Sequence, residues 1–490
     1  MKRYVLRVFL FLTALFVFVA AASAGSVYFV STSGSDRTGD GSESRPFASI
    51  MKAVLAVPDD GSRILVEPGT YKGTCSIARA FKNRLFVESK EPYRARLVNL
   101  PGGIVKVLYI AGSNITLSGF EITNEGEIPP DYSSKNEYLV QITGPAADIT
   151  VNDCILHDNF INDMVKINSG AERILFSGNV CYNQGRDLQY KKPKGFQHMD
   201  INTVSYVTVQ DCIFFNNYRD NRSKTCNGSF IVCKNSEKTF HTHDNLFQRN
   251  IFLNWQGPSD QAMLLFGEDT HAMIYGLVNG TAQNNLFIMN DTGLGGSGAF
   301  TVKGCKDIIF RANTVVGNAF NGRTWPFAFR VCTEKGELTV DGVGFFNNVF
   351  ASTDGRMTKF NFGDDAQSEN VSYDANCYWN NGKAIPVDPG SNVHFKAVSV
   401  DARAVTSDPM LPKPGAPPVL PEWDSAKLKF ASGAGTIREE FVRLVNGYGK
   451  VPQGSGLAGK AVRNNMPEDD ILGKKRKAAP DIGCFELEAN

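Results

Sequence analysis

Two short stretches of the chain combine side chains that could carry out acid–base chemistry. The first runs from His157 to Lys166 and includes Asp163, and the second contains His198 and Asp200. A lysine or a neutral histidine can remove a proton from a substrate, and paired carboxylates can bind a metal ion or transfer a proton. This set of groups suits either proton removal followed by β-elimination or acid–base hydrolysis.

The two mechanisms give these residues different roles. In a lyase acting on a uronic-acid polymer, Ca²⁺ held by Asp163 and Asp200 would neutralise the sugar carboxylate, and we expect no other cofactor. Lys166, with a pKa lowered by neighbouring cations, is the predicted base, and His198 is the competing base. In a glycoside hydrolase, Asp163 and Asp200 would act as acid and as base or nucleophile. A plain ion pair between Lys166 and Asp200, worth under about 1 kcal/mol, is the third interpretation.

A basic and aromatic segment, residues 184–196, connects the two stretches. It contains Arg186, Tyr190, Lys191 and Lys192. Aromatic rings stack on sugar faces, and basic groups pair with carboxylates or sulfates. We therefore expect these four residues to bind substrate, and the partner to be an anionic polysaccharide.

These residues belong to a repeat that covers most of the chain. In each copy, apolar and polar residues alternate up to a key position, two or three mostly apolar residues follow, and a polar residue ends the segment. The key positions are Phe120, Cys154, Asn179, Cys212, Asn250, Asn285, Asn313, Asn348 and Asn376. Short strands without intervening helices, repeated every 25 to 38 residues, predict a solenoid of stacked coils. Asparagine suits a coil corner because its amide bonds along the stack and because it tolerates left-handed backbone.

Each coil has a second strand, 10 to 20 residues before the key position. Side chains alternate between the two faces of a strand, so one set points away from the core. Stacking would place this set in a column with a spacing of about 4.8 Å. The predicted column comprises Gln141, Lys166, Asp200, Lys303, Arg330 and Asn361. Of these, Gln141, Lys303 and Arg330 are further substrate-binding candidates.

The first 24 residues are typical of a secretory signal. A basic head at Lys2 and Arg3 precedes an apolar run from Val8 to Ala22, and cleavage is expected after Ala24. We expect a secreted, periplasmic or cell-surface protein with no membrane attachment after cleavage. Removing this segment leaves 48 basic against 50 acidic residues of the original 51 and 50, a balance that does not indicate nucleic-acid binding.

Both ends of the remaining chain resemble a known family. The segment from Val27 to Gly73, with a short helix after Pro46, resembles the opening of secreted bacterial right-handed parallel β-helix proteins of the pectate-lyase-like superfamily. The segment from Pro480 to Glu486 is similar to their last coil. With the repeats, the resemblance implies an all-β, right-handed parallel β-helix of about ten coils with an N-terminal capping helix over residues 25–400. Residues 401–490 would form a C-terminal wrap and cap.

The resemblance implies function only broadly, because the superfamily includes lyases, hydrolases, epimerases and non-catalytic binders. No catalytic motif of its polygalacturonase-like hydrolases or alginate epimerases is present. An extracellular lyase acting on an acidic polysaccharide, as a monomer, is our leading hypothesis, with a glycoside hydrolase or a glycan-binding solenoid as alternatives.

The ten cysteines divide into two groups. Cys154 and Cys212 hold key positions, and Cys181 follows one, so these are predicted to be buried as small apolar residues. The best candidates for a disulfide are Cys226 and Cys233.

Overall fold

The computed structural model describes most of the chain after the first 24 residues. The described ranges are 25–99, 106–126, 137–160, 162–184, 195–218, 228–239, 242–256, 262–267, 274–289, 298–318, 327–333, 338–363, 365–387, 393–412 and 418–488. The predicted signal segment lies outside them. No helix in these ranges is both long enough and apolar enough to cross a membrane.

Three parallel sheets run along the molecule, and successive coils add one strand to each, which confirms the predicted parallel β-helix. The first sheet contains Val27–Val30, Arg63–Val66, Ala80–Ser89, Ser113–Ser118, Ala147–Asn152, Glu172–Ser177, Ser205–Gln210, Leu246–Gln248, Thr281–Gln283, Lys306–Arg311, Val340–Phe346 and Ser368–Asp374. The second contains Cys75–Ile77, Lys106–Ile110, Tyr138–Thr143, Val165–Asn168, Met199–Asn202, Ile231–Lys234, Leu264–Phe266, Phe300–Lys303, Phe329–Cys332 and Asn361–Gly363. The third contains Gly69–Lys72, Ala95–Asn99, Glu121–Asn124, Ile155–His157, Val180–Tyr182, Ile213–Phe215, Ile251–Leu253, Leu286–Met289, Thr314–Gly317, Val349–Ser352 and Cys377–Asn380.

The key positions form a hydrogen-bonded ladder inside the coil, between the first and third sheets. The backbone N–H and side-chain amide of each asparagine from Asn250 onward donate to the Oδ1 of the next, at 2.9 to 3.1 Å. The last asparagine, Asn376, donates to Asp401 Oδ2 at 2.8 Å. All these groups are buried, so the ladder satisfies a line of polar atoms that would otherwise be costly inside the core.

The left-handed backbone at this corner is not where we expected it. The residues with positive φ are those immediately before the key positions, namely Gly119, Asp153, Gly178, Asp211, Arg249, Asn284, Ala312, Asn347 and Ala375. The asparagines themselves have ordinary backbone and contribute only their amides. Their recurrence therefore reflects hydrogen bonding along the stack rather than tolerance of left-handed geometry.

The interior is filled by apolar side chains stacked from coil to coil. Phe214, Phe252 and Phe287 form one such stack, with ring centroids 5.3 and 4.8 Å apart. Cys154, Cys181 and Cys212 are buried as predicted. The predicted disulfide between Cys226 and Cys233 is not formed at Cys233, which is a free thiol in the core. Cys226 lies outside the described residues.

Helices and a small hairpin complete the ends of the solenoid. Helix α1 (Ile50–Ala56) is capped by Ser49, whose side chain accepts from the N–H of Lys52, and it buries Ile50, Ala53 and Val54 in the same core. Helices α2 (Ala397–Val400) and α3 (Ile437–Leu444) follow the last coil, and Thr436 caps α3. The remaining elements are the antiparallel pair Trp423–Asp424 and Lys429–Phe430, the 3₁₀ turns Asp365–Gln367, Val393–Phe395 and Arg463–Asn465, and the π-turn Val445–Gly449.

The C-terminal segment covers the outer side of the third sheet. Apolar residues of this segment, such as Trp423, Phe441 and Ile471, pack with outward residues of the third-sheet strands, such as Phe215 and Leu253, in a second apolar cluster. From Glu121–Asn124 to Val349–Ser352 the third sheet is therefore buried on both faces, and this part of it is closed to a long ligand.

Candidate functional site

The predicted column exists on the outer face of the second sheet, with two exceptions. Strand pairing places Gln141, Lys166, Asp200, Val232, Leu265, Thr301, Arg330 and Phe362 side by side on successive coils. Lys303 lies two residues beyond the column, level with Cys332. Asn361 was assigned wrongly, because it pairs with the core residue Phe329 and its amide donates to the Phe395 carbonyl at 2.8 Å.

Four charged side chains meet at the Lys166 and Asp200 coils and form what we call the carboxylate–lysine cluster: Asp163, Lys166, Asp200 and Lys234. The ammonium of Lys166 donates to Asp200 Oδ2 at 2.6 Å and lies 3.7 Å from Asp163 Oδ2. Lys234 lies 3.8 Å from the same oxygen of Asp200. The side chains are 6 to 14% exposed. Charges this close and this poorly solvated interact far more strongly than a surface ion pair.

The environment shifts the proton affinities of the cluster. Burial, and then the charge of Asp200, raise the pKa of Asp163 to about 7, although Lys166, the Gln197 N–H and Lys234 act in the opposite direction. Burial acts to lower the pKa of Lys166, but Asp200 and Asp163 outweigh it and the pKa is raised. The expectation that cations lower the pKa of Lys166 is therefore wrong, since its nearest charges are carboxylates. At neutral pH, Lys166 is a cation and Asp163 is the group poised to exchange a proton.

Lys234 of the cluster, and Tyr138 beside it, were not predicted from the sequence. Either Cys233 or Lys234 could point outward by sequence alone, and the structure places Cys233 in the core with Lys234 on the outer face. Tyr138 begins the strand that contains Gln141, and it is mostly buried. Its phenol interacts electrostatically with Lys166, Asp163 and Asp200.

Two acceptors beside the cluster lack a donor. Among the described residues, neither Asp200 Oδ1 nor Gln141 Oε1 accepts a hydrogen bond, although both atoms are buried. Gln141 does donate through Nε2 to Asn168 Oδ1 at 3.2 Å. Buried acceptors without donors are uncommon and costly. Hydroxyl groups of a bound sugar are donors of the kind that they lack.

His198 does not belong to the site, contrary to our prediction. It is fully buried, packs edge-on against Phe230 with ring centroids 4.8 Å apart, and bonds through Nε2 to the Phe215 carbonyl at 3.0 Å. Burial lowers its pKa to about 3. The backbone bends just before each second-sheet strand, so that two consecutive residues point inward, and His198 occupies the first of these positions. In other coils that position holds Leu139, Met164, Phe230, Met263, Ala299, Ala328 and Phe360.

The cluster does not fit the expected calcium ion. Ca²⁺ requires six to eight oxygen ligands, but here Asp200 Oδ2 accepts from the Lys166 ammonium and Asp163 Oδ1 accepts from the Gln197 N–H at 3.0 Å. The described residues also include no group of three or more His, Cys, Asp or Glu side chains suited to a metal. Positive charge at this site comes from lysine.

A second group of titratable residues surrounds His157 on the third sheet. Its Nδ1 lies 2.8 Å from Asp158 and its Nε2 lies 3.3 Å from Glu121, whose Oε1 also accepts from Ser425 of the C-terminal hairpin at 2.9 Å. Burial acts to lower the pKa of His157, but Asp158 and Glu121 raise it to about 9. The ring also stacks on Tyr182 at 5.0 Å. These contacts hold the hairpin against the solenoid and indicate a structural role.

Charge is distributed unevenly between the sheets. The strands of the second sheet carry five basic residues, Lys106, Lys166, Lys234, Lys303 and Arg330, and one acidic residue, Asp200. The first-sheet strands carry six basic and seven acidic residues. A positive strip on a chain of nearly zero net charge favours binding of an anion along that strip. The predicted substrate-binding residues Arg186, Tyr190, Lys191 and Lys192 lie outside the described residues.

Comparisons with known proteins support the fold. No family model matches the chain, and no curated protein matches it. Among solved structures, pectate lyase Pel9A is similar over 95% of this chain and 98% of its own, with 15% identity and a TM-score of 0.51. Two further solved structures are similar. A rhamnogalacturonan lyase has 14% identity and a TM-score of 0.48, over 71% of this chain and 84% of its own. A glycoside hydrolase has 10% identity and a TM-score of 0.45, over 77% of this chain and 99% of its own. At these identities, the similarity to the first shows the fold alone.

Proposed function

We infer that this chain, a parallel β-helix of the pectate-lyase-like fold, cleaves a uronic-acid-containing polysaccharide by β-elimination at the carboxylate–lysine cluster. The observation that carries the proposal is a carboxyl group with a pKa raised to about 7, Asp163, which lies 3.7 Å from the Lys166 ammonium on the basic second sheet. The Lys234 ammonium lies beside the neighbouring carboxylate, Asp200, at 3.8 Å. The ammonium groups suit a substrate carboxylate, and the carboxyl group suits proton removal at neutral pH.

Each residue of the cluster has a role in this reaction. The ammonium of Lys166 pairs with the uronate carboxylate and stabilises the negative charge that develops there when the C5 proton leaves. Ionised Asp163 accepts that proton, and its raised pKa makes it a stronger base than an ordinary carboxylate. Asp200 holds Lys166 in place through the 2.6 Å contact. The base is thus Asp163 rather than Lys166, because Lys166 is protonated.

A retaining glycoside hydrolase is the second candidate. Protonated Asp163 would donate to the leaving oxygen, and Asp200, which accepts from the Lys166 ammonium at 2.6 Å, would be the nucleophile. Both carboxylates lie within 3.7 Å of one ammonium group, which favours the short separation of retaining enzymes over the wider gap of inverting ones.

The products separate these proposals. The purified protein would be incubated with pectate, alginate, glycosaminoglycans and ulvan-type polymers, with Ca²⁺ or with a chelator. β-Elimination generates a conjugated unsaturated uronate that absorbs in the ultraviolet, whereas hydrolysis generates reducing ends without it. We expect the unsaturated product, unchanged by chelator, and its loss in Asp163→Asn and Lys166→Ala. Reducing ends alone would establish the hydrolase, and neither product from any polymer would refute both proposals.

A further inference from the structure

We propose that Tyr138 is the proton donor to the leaving oxygen, and that it works with Asp163 from one face of the sugar. This inference rests on the proposed β-elimination and deepens it, because it also selects the class of uronate. The elimination is then syn, and the substrate is a uronate whose C5 hydrogen and C4 oxygen are cis, as in the gluco and manno configurations.

Strand register places Tyr138 beside Asp163. Val140 pairs with Val165 and Gln141 pairs with Lys166, so the residues two positions earlier, Tyr138 and Asp163, lie on adjacent coils at the same level. Coils are about 4.8 Å apart. Both residues are mostly buried, at 8% and 5% exposure, and neither belongs to the interior core cluster. Tyr138 is the first residue of its strand, and Asp163 lies two residues before the strand of the next coil. The phenol interacts electrostatically with both Asp163 and Lys166.

The surroundings of Tyr138 suit a proton donor. Burial raises the pKa of the phenol above its ordinary value, whereas Lys166 favours the phenolate and acts to lower it. Asp163 and Asp200 also act to raise this pKa, and the Asn162 side chain acts to lower it. Tyr138 is therefore protonated before the reaction, and the phenolate that forms when it donates lies next to an ammonium group.

The proton transfers balance without another reactant. Asp163 takes the C5 proton, and the C5–H electron pair forms the C4=C5 double bond. The C4–O bond breaks, and the departing oxygen takes the proton of Tyr138. Asp163, now protonated, then returns a proton to the Tyr138 phenolate. The enzyme regains its starting state, and the chain is cut into an unsaturated end and a new hydroxyl end.

The shared side of these two groups constrains the substrate. In gluco- and manno-configured uronates, the C5 hydrogen and the C4 oxygen are on the same face of the ring, within reach of a base and an acid on one surface. In galacturonate and guluronate they are on opposite faces, and the acid and base would have to enclose the ring. The expected substrates are therefore glucuronate- or mannuronate-containing chains.

The test combines a variant with matched substrates. In Tyr138→Phe we expect kcat on the preferred polymer to fall by about 10²- to 10⁴-fold, the range for loss of a general acid, with KM changed by less than about threefold. Tyr206→Phe, at an exposed tyrosine of the first sheet, is the matched control and should keep full activity. A 4-deoxy-4-fluoro uronate needs no proton on its leaving group, so Tyr138→Phe should eliminate fluoride at nearly the wild-type rate.

Each assignment has its own refutation. Equal losses in Tyr138→Phe on the polymer and on the fluoride substrate would show a structural role and overturn the proton-donor assignment, as would unchanged activity on the polymer. Unsaturated product from polygalacturonate or polyguluronate, with none from glucuronan or polymannuronate, would overturn the syn assignment. Absence of unsaturated product from every uronate refutes the proposed function itself. This result is distinct from the one that overturns the proton-donor assignment and from the one that overturns the syn assignment.

Discussion

Replacing Asp163 with asparagine should stabilise the protein while abolishing its activity. Burial and Asp200 raise the pKa of Asp163 from 3.8 to about 7. For an acid, this means that the folded state binds more protons than the unfolded state between these two pH values. The contribution of Asp163 to the free energy of unfolding therefore falls as pH rises from about 4 to 7.

The size of the effect follows from the shift. One pKa unit corresponds to about 1.4 kcal/mol, so ionised Asp163 destabilises the fold by roughly 2 to 4 kcal/mol above pH 7. Asparagine keeps an oxygen for the Gln197 N–H, which now bonds at 3.0 Å, and it carries no charge. The variant should be more stable than wild type by that amount at about pH 8, and the difference should disappear near pH 4.

Urea unfolding at several pH values measures this directly. Asp148→Asn is the matched control, because Asp148 is exposed and paired with Arg173 at 2.9 Å, and its removal should have no such pH dependence. A variant that is equally stable or less stable than wild type at pH 8 would contradict the raised pKa. A variant that keeps wild-type elimination activity would show that Asp163 is not the base, whatever its stability.

Three further outcomes are expected. Asp401→Ala should lower the free energy of unfolding by about 3 to 5 kcal/mol, because the Asn376 amide and the Tyr378 hydroxyl lose a buried acceptor. Urea unfolding measures this, with Asp408→Ala at an exposed position as the control. A loss below about 1 kcal/mol would contradict the prediction. His198→Leu should keep activity within about threefold. Because burial lowers the pKa of His198, this residue makes the wild-type free energy of unfolding fall as pH falls from 6.5 toward 3, and the variant should lack that contribution. A severe loss of activity with intact folding would restore His198 as a catalytic candidate. Because carboxylates raise the pKa of His157, its contribution to stability is complete below about pH 6.5 and is lost as pH rises through about 9, and His157→Gln should remove it. Thermal unfolding of wild type and variant at pH 6 and pH 9 measures this. An equal difference in stability between the two proteins at both pH values would refute it.

The sequence predicted the parts of the structure that follow local rules. Alternation within a strand correctly placed Gln141, Lys166 and Asp200 in one outward column, and the repeat of Asn and Cys predicted the buried ladder. The errors lie where alternation stops. His198 stands before its strand, in the bend where two successive residues point inward, and Asn361 takes the second inward position of its coil.

The site chemistry depended on distances that spacing does not contain. Lys166 and Asp163 are three residues apart in the chain, but the pKa of each depends on burial and then on Asp200, which comes from the next coil. Loop lengths between coils determine which residues become neighbours, and they vary from coil to coil. For the same reason Tyr138, at the first position of its strand, could be assigned to the cluster only once the register was known.

The direction of hydrogen bonding in the asparagine ladder has an evolutionary consequence. Asn285, Asn313 and Asn348 each donate to the following asparagine and accept through Oδ1 from the preceding one, while Asn376 donates to Asp401. A coil carrying one such asparagine can therefore be duplicated or deleted in this region, and the rungs on both sides find the same partner as before. Asp401 accepts without donating and ends the series, so a solenoid with more or fewer such coils could end on the same acceptor.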